Sequence, residues 1–240
     1  MNSQAFYRQL AFLDPEKHAA LRLAPVSDYA FVAQTYSLPL LAIEMVEAQR
    51  EFPVVFARDQ DGRLTPLALL GLQEQENLFV DAAGHWQAEQ LPAFVRRYPF
   101  ATALLDDGEL AVCVDEAATC LSTTDGEALF PTDGNRQLLN RVQQVLQEYQ
   151  REVARTQAFC THLQELDLLR EASAQVELPG GEKFSLGGML IVEEERLRAL
   201  SAEQLHALAQ SGELALIQAQ MFSLGNFPRL LRRHNQRHGA

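Results

Sequence analysis

The feature that most constrains the fold is a long helical pattern at residues 137–169. Apolar or small side chains recur there at alternating steps of three and four residues, which is the spacing of one helix face. They are Leu139, Val142, Leu146, Tyr149, Val153, Thr156, Cys160 and Leu163. The pattern predicts one long helix. Two interpretations of its stripe stay open: it packs on the chain's own sheet, or it forms the seam of a homodimer.

Short apolar segments separated by turn residues surround this helix. Their spacing is typical of antiparallel strands joined by tight turns. The elements that the pattern predicts are strands at 54–58, 64–72, 77–81 and 109–114, a hairpin at 174–192, and helices at 40–50, 92–97, 201–212 and 213–224. The sequence therefore predicts an α+β fold: a central, mainly antiparallel sheet (a meander) with the long helix and C-terminal helices packed on it.

The composition is that of a folded chain whose charge is unevenly placed. Of the 240 residues, 47% are hydrophobic and 22% are charged, so we expect one domain over residues 1–240 with a weak subdivision near residue 130. The net charge of −12 argues against bulk nucleic-acid binding. Residues 229–240 form a basic tail with four arginines and no acid. We interpret it either as a solvated helix end or as a weak contact for acidic lipid, RNA or an acidic partner.

The cysteines and the terminus indicate a compartment. Cys113, Cys120 and Cys160 form no paired framework, which fits a reducing environment. The first residues lack the pattern of a signal peptide, and no apolar segment has the length of a membrane span. We therefore expect a cytoplasmic protein.

The common catalytic and metal-binding motifs are missing from the sequence. It holds no G-x-S-x-G elbow, no phosphate-binding loop and no H-E-x-x-H pair. The closest metal-like spacing is His162-x-x-Glu165 with Cys160 nearby, although such pairs are common on solvated helix faces. We expect no metal site and no cofactor, and a binding role is favoured over an enzymatic one.

The most informative polar cluster pairs two arginines with two acids. Arg96-Arg97 precede a predicted strand that ends at Asp115-Glu116. These groups form either an ion-pair brace beneath Trp86 and Phe100, or an arginine fork that captures a carboxylate of a peptide or amino acid. The candidate binding residues are Trp86, Arg96, Arg97, Tyr98, Asp115 and Glu116.

Several segments together resemble the SapC family of bacterial proteins. They are Phe52-Pro53-Val54-Val55-Phe56, residues 68–72, Glu76-Asn77-Leu78-Phe79-Val80-Asp81, Trp86, Arg96-Arg97-Tyr98-Pro99-Phe100, residues 112–116, residues 186–188, residues 214–217 and residues 223–226. The family is named after a surface-layer-associated protein. The resemblance also implies that other members are neighbours of TonB-dependent receptors, flavin-dependent tryptophan halogenases and cupin-like (JmjC-type) proteins. The resemblance implies a shared fold, and it implies no catalytic residues.

Two functions stay open. The first is a SapC-like, non-catalytic binding or accessory protein that engages a protein or peptide partner in a surface-layer or TonB-linked uptake or modification pathway. The second is an enzyme, with or without a metal, that acts on an amino acid, peptide or protein side chain. Its candidate acids or ligands are Asp81, Asp115, Glu116 and His162.

Overall fold

The fold is taken from a computed structural model that describes residues 6–59, 61–106, 108–132, 134–177 and 183–239. In this part of the chain the strands are β1 (Leu10–Phe12), β2 (Arg22–Leu23), β3 (Ser37–Pro39), β4 (Val54–Arg58), β5 (Leu64–Leu69), β6 (Phe100–Leu104), β7 (Leu110–Asp115), β8 (Leu121–Ser122), β9 (Glu127–Ala128), β10 (Leu169–Glu177) and β11 (Lys183–Val192). The helices are α1 (Met45–Ala48), α2 (Ala93–Arg96), α3 (Gln137–Glu165), α4 (Glu194–Arg198), α5 (Ala202–Ser211), α6 (Glu213–Ser223) and α7 (Phe227–His238).

The largest sheet has five antiparallel strands in the order β10-β11-β4-β5-β3. Its central hairpin joins β4 to β5, with Val55 opposite Leu67. Three successive residues of β4, Val54, Val55 and Phe56, are buried, so both faces of this strand are covered by other parts of the chain. Two smaller antiparallel sheets have the orders β1-β7-β6 and β8-β2-β9. The antiparallel α+β prediction is confirmed.

The long helix α3 packs against β5, β6 and the short helical turn before α1. Its stripe is largely buried within the chain, and Leu146 and Leu163 are 3% and 1% exposed. Val153 departs from this pattern, because 38% of its surface is exposed. The helix ends at Glu165 rather than at residue 169, since Asp167 adopts a left-handed conformation with a φ of 49°. The interpretation of the stripe as part of the core thus describes most of its residues.

The predicted strand at 77–81 is wrong, because side chains occupy its backbone groups. The backbone N–H of Phe79 donates to the side-chain oxygen of Asn77 over 2.9 Å, which closes a turn of the kind that Asn favours. Arg237 donates to the carbonyl oxygens of Asn77 and Val80 over 2.5 and 2.6 Å. The segment keeps an isolated bridge at Val80 in place of a strand ladder.

The basic tail is helix α7, and it lies against the body of the protein. Pro228 stands in its first turn, where the missing N–H of proline has little cost. Arg229, Arg233 and Arg237 donate to main-chain carbonyls at residue 50 and in the segment 77–87. These hydrogen bonds attach the tail to the body of the protein, although Arg229, Arg232 and Arg237 are all partly open to solvent.

Candidate functional site

A cleft of about 640 Å³ lies where the five-stranded sheet and the β1-β7-β6 sheet meet α3. Its walls come from β3, β4 and β5, from β6 with single residues of β1 and β7, and from the middle of α3. Leu38, Leu41, Leu64, Leu67 and Phe94 make much of the wall apolar. A volume of this size lies within the range of small-molecule and peptide sites.

Arg97 lines this cleft from the residue that ends α2. Only 8% of its surface is exposed, and its guanidinium carbon lies 4.4 Å from the ring centre of Phe94 and 4.5 Å from that of Tyr149. Among the described residues, no carboxylate lies within ion-pair distance of this guanidinium, and its buried Nε has no hydrogen-bond partner. A buried cation is costly without an anion nearby. In Arg97 the faces of the two aromatic rings take the stabilising role that an anion would otherwise have.

The phenols beside Arg97 are neutral. Burial raises the pKa of Tyr7 to about 12, and the charge and hydrogen bonding of Arg97 act against that rise. Burial also raises the pKa of Tyr149 above its ordinary value. Across the cleft, Gln150 donates from its side-chain amide to the hydroxyl of Thr102 over 2.5 Å. The guanidinium of Arg97 thus lies among aromatic rings, two of which carry neutral phenols.

The charges that line the cleft differ in sign from the chain as a whole. The chain carries a net charge of −12, whereas Arg58 and Arg97 line the cleft against a single acid, Asp59. Asp59 accepts backbone N–H groups of its own turn, over 3.0 Å from Asp61 and 2.8 Å from Arg63. The local balance favours an anion in the cleft.

Arg96, the neighbour of Arg97, lies outside the residues that line the cleft. Its Nη2 lies 3.5 Å from Oε1 of Glu44, a buried carboxylate that also accepts the backbone N–H of Ala93 over 2.7 Å. The guanidinium itself is well exposed. Arg96 thus lies beside Glu44 at the start of α2, and the two arginines of the motif have different surroundings.

Trp86 and Tyr98 belong to an aromatic cluster in the core. Tyr98 is buried and stacks on Phe31, with ring centres 3.8 Å apart. Trp86 packs beside Phe79, with ring centres 6.3 Å apart, and its indole N–H donates to the carbonyl of Gln90 over 2.9 Å. Neither residue lines the cleft.

Asp115 and Glu116 hold the N-terminal arm. Asp115 is fully buried and accepts the backbone N–H groups of Arg8 and Gln9 over 3.0 and 2.8 Å. Glu116 pairs with Lys17 and with His18, whose Nε2 lies 2.9 Å from its carboxylate. The predicted ion-pair brace is therefore wrong, because both acids bind the N-terminal arm, Arg96 pairs with Glu44, and Arg97 has no ion-pair partner among the described residues.

The remaining candidates for an enzymatic site also lie apart. Asp81 contacts His85 in an exposed turn, with 3.3 Å between carboxylate and ring nitrogen. His162 lies 2.7 Å from the carboxylate of Glu213, and Cys160 is fully buried with a pKa that burial raises to about 12. The described side chains do not bring Asp81, Asp115, Glu116 and His162 together as metal ligands.

The sequence pattern does not predict which residues form the wall of the cleft, although the helical stripe of α3 contains one indication of it. Tyr149, Val153 and Thr156 line the cleft, and these are the middle members of the helical stripe, where its leucines are interrupted. The leucine-rich part of the stripe packs on the core, while the interrupted part faces the cleft. The replacement of leucines by other residue types in the middle of the stripe is thus the sequence feature that indicates this site.

Fold and cleft together define an α+β protein with a buried cation in a largely apolar cleft. The family model described as SapC matches residues 13–230, so the chain belongs to the SapC family. A comparison with curated proteins finds no match, and a comparison with solved structures finds none either. None of the helices in the described residues combines the length and apolar character that crossing a bilayer requires.

Proposed function

We propose that this protein is a non-catalytic binding or accessory protein that holds a carboxylate-bearing segment of a peptide or protein partner in the cleft. The observation that carries the proposal is Arg97, a buried guanidinium that lines the cleft without an ion-pair partner among the described residues. A guanidinium presents parallel N–H donors that match the two oxygens of a carboxylate. A bound carboxylate would supply the charge that the ring faces of Phe94 and Tyr149 only partly replace.

Two sheet edges favour an extended segment as the occupant. β3 and β6 each end the strand order of their sheet, and residues 37–39 and 101–103 both line the cleft. Successive side chains of a strand point to opposite faces of the sheet. When every residue of a strand lines a cleft, the strand therefore turns its edge, rather than one face, toward the cleft. An edge strand presents backbone donors and acceptors to which an extended peptide adds.

The chemistry of the walls narrows the partner further. Apolar side chains dominate the lining of the cleft, while the chain as a whole is strongly acidic. A segment with many acids would be repelled by the outer charge, whereas an apolar segment with one carboxylate matches both environments. The surface-layer or TonB-linked pathway that the family resemblance implies would be the source of such a protein partner.

A comparison of matched peptides tests the proposal. A set of short apolar peptides is prepared with free carboxyl termini and with amidated termini, and binding is measured by fluorescence polarisation. We expect binding among the free carboxylates and at least about tenfold weaker binding of the amides, the scale on which one charge-assisted contact acts. Equal binding of both forms, or binding of neither across the set, would contradict the proposal.

A further inference from the structure

Three side chains with metal-ligand chemistry meet where helix α7 crosses the segment after β5. His234 Nδ1 and His238 Nε2 each lie 2.8 Å from Oε1 of Glu76. One ligand atom from each residue can be chosen so that all three lie within 4.8 Å of one another. Glu76 and His234 are buried, whereas 44% of the His238 side chain is exposed. The cluster is thus closed on one side and open to solvent on the other.

The two histidines stand four residues apart on one helix. This spacing puts both rings on the same face of α7, and their ring centres lie 4.4 Å apart. Pairs of histidines at this spacing are a common way for a helix to supply two ligands to one metal ion. The helix therefore holds both ring nitrogens near the same carboxylate oxygen.

The backbone around Glu76 fixes the third ligand. The backbone N–H of Leu72 donates to Oε2 of Glu76 over 2.9 Å, which leaves Oε1 toward the histidines. A Cβ atom at Gly71 would lie 2.2 Å from the carbonyl oxygen of Glu76, so this close approach requires glycine. Such an outer hydrogen bond orients a metal-binding carboxylate before the ion arrives.

We propose that Glu76, His234 and His238 bind a divalent transition-metal ion of the zinc class. Two imidazoles and one carboxylate form a ligand set that zinc takes with water in the fourth position. Donors around a tetrahedral zinc ion are spaced about 3.3 Å apart, so the 2.8 Å contacts would open by only about half an ångström. The exposed edge of His238 gives the ion its entry.

A metal ion at this site would stabilise the fold by joining two distant parts of the chain, and its ligands are not among the residues that line the cleft. The ion would join α7, the last helix of the chain, to a carboxylate that precedes His234 by 158 residues. Binding to the folded state alone stabilises that state in proportion to the logarithm of the metal concentration. The site departs from the sequence-based expectation of no metal, because Glu76 is remote from the histidines in the chain.

Metal titration with two variants tests the site. The purified protein is treated with a chelator, dialysed and titrated with Zn²⁺ by calorimetry, and then with Co²⁺ under visible absorption. We expect one equivalent of Zn²⁺ and the intense visible absorption of four-coordinate Co²⁺. His238→Ala should weaken Zn²⁺ binding by at least about tenfold, whereas His206→Ala, an exposed histidine on α5, should leave it unchanged.

A second variant covers the buried ligand. Glu76→Gln keeps an oxygen that accepts hydrogen bonds but removes the anionic ligand, and circular dichroism reports whether the fold is kept. A folded Glu76→Gln protein with at least about tenfold weaker Zn²⁺ binding supports the site. The proposal is overturned if the native protein binds no Zn²⁺, if Co²⁺ stays six-coordinate, or if His238→Ala binds as tightly as the native chain.

Discussion

The guanidinium carbon of Arg97 lies 4.5 Å from the centre of the Tyr149 ring. This contact joins the end of α2 to the middle of α3 and places a cation against an aromatic face inside the cleft. It also explains why an arginine stays buried without an ion pair from the described residues. The two arginines of the motif have different surroundings, because Arg97 lies against aromatic rings whereas Arg96 pairs with Glu44.

The ring of Tyr149 should contribute to stability through its face. We expect Tyr149→Leu to lower the free energy of unfolding by about 1–2 kcal/mol, because the cation loses a ring face in a desolvated setting. Tyr149→Phe keeps that face and is expected to change the free energy by less than about 0.5 kcal/mol. Urea unfolding followed by circular dichroism measures both. Equal losses in the two variants would show that the hydroxyl, rather than the ring, matters.

The contacts of α7 should make its arginines unequal. Arg237 donates to two main-chain carbonyls, and we expect Arg237→Ala to cost about 1–2 kcal/mol of unfolding free energy. Arg232 stands on the same helix and is likewise exposed, but it makes no such hydrogen bond within the described residues, so Arg232→Ala should cost less than about 0.5 kcal/mol. The denaturant midpoints of the Arg237→Ala and Arg232→Ala variants measure this difference in stability. A tail that is only solvated would give two small and equal effects.

The helical stripe should act as core of its own chain. Leu146 is 3% exposed, so Leu146→Ala should destabilise the protein by about 2–5 kcal/mol. Its neighbour Val145 is 53% exposed, and Val145→Ala should change stability by less than about 0.5 kcal/mol.

Light scattering distinguishes a stripe that packs in the core of one chain from a stripe that forms the interface of a homodimer. We expect the folded Leu146→Ala and Val145→Ala proteins to have the molar mass of the native protein. A drop from two chains to one in Leu146→Ala would support the seam of a homodimer instead.

The carboxyl of Glu44 should give stability a specific pH dependence. Burial raises the pKa of this group above its usual value of 4.5, while the backbone N–H groups of Leu41 and Ala93 and the charge of Arg96 act in the opposite direction. Because the folded-state pKa is the higher one, the stabilisation is fully present below pH 4.5 and is lost as the pH rises through the folded-state pKa.

The comparison with Glu44→Gln isolates that titration. We expect the native chain to be most favoured over the variant at low pH, with a difference in unfolding free energy that shrinks as the pH rises to neutrality. Urea unfolding between acid and neutral pH measures it. A difference that grows with pH would mean that the ionised carboxylate is the form favoured by folding.

Local patterns predicted the elements that depend on periodicity. The spacing of Leu139 to Leu163 indicated α3, and the turn after residue 58 indicated the β4–β5 hairpin. The segment 77–81 has the apolar character of a strand, yet Asn77 and Arg237 satisfy its backbone from outside any ladder. Strand propensity alone cannot predict a hydrogen-bond partner 160 residues away in the chain.

The site was predictable only in part for a similar reason. The sequence indicates residues 96 and 97 as a binding motif, but their different surroundings depend on where Glu44 and Tyr149 lie in three dimensions. Likewise, the spacing of His234 and His238 is readable in the sequence, whereas Glu76 reaches them only through the packing of α7. Chemistry assembled from distant segments becomes visible when the fold is known.

The most direct test of the central claim is a thermodynamic cycle on Arg97. The tightest free-carboxylate peptide and its amide are titrated by calorimetry into the native protein, Arg97→Gln and Arg96→Ala. We predict that the carboxylate binds at least about tenfold tighter than the amide to the native protein and to Arg96→Ala, and that Arg97→Gln abolishes this preference. A preference for the carboxylate that survives in folded Arg97→Gln would contradict the account.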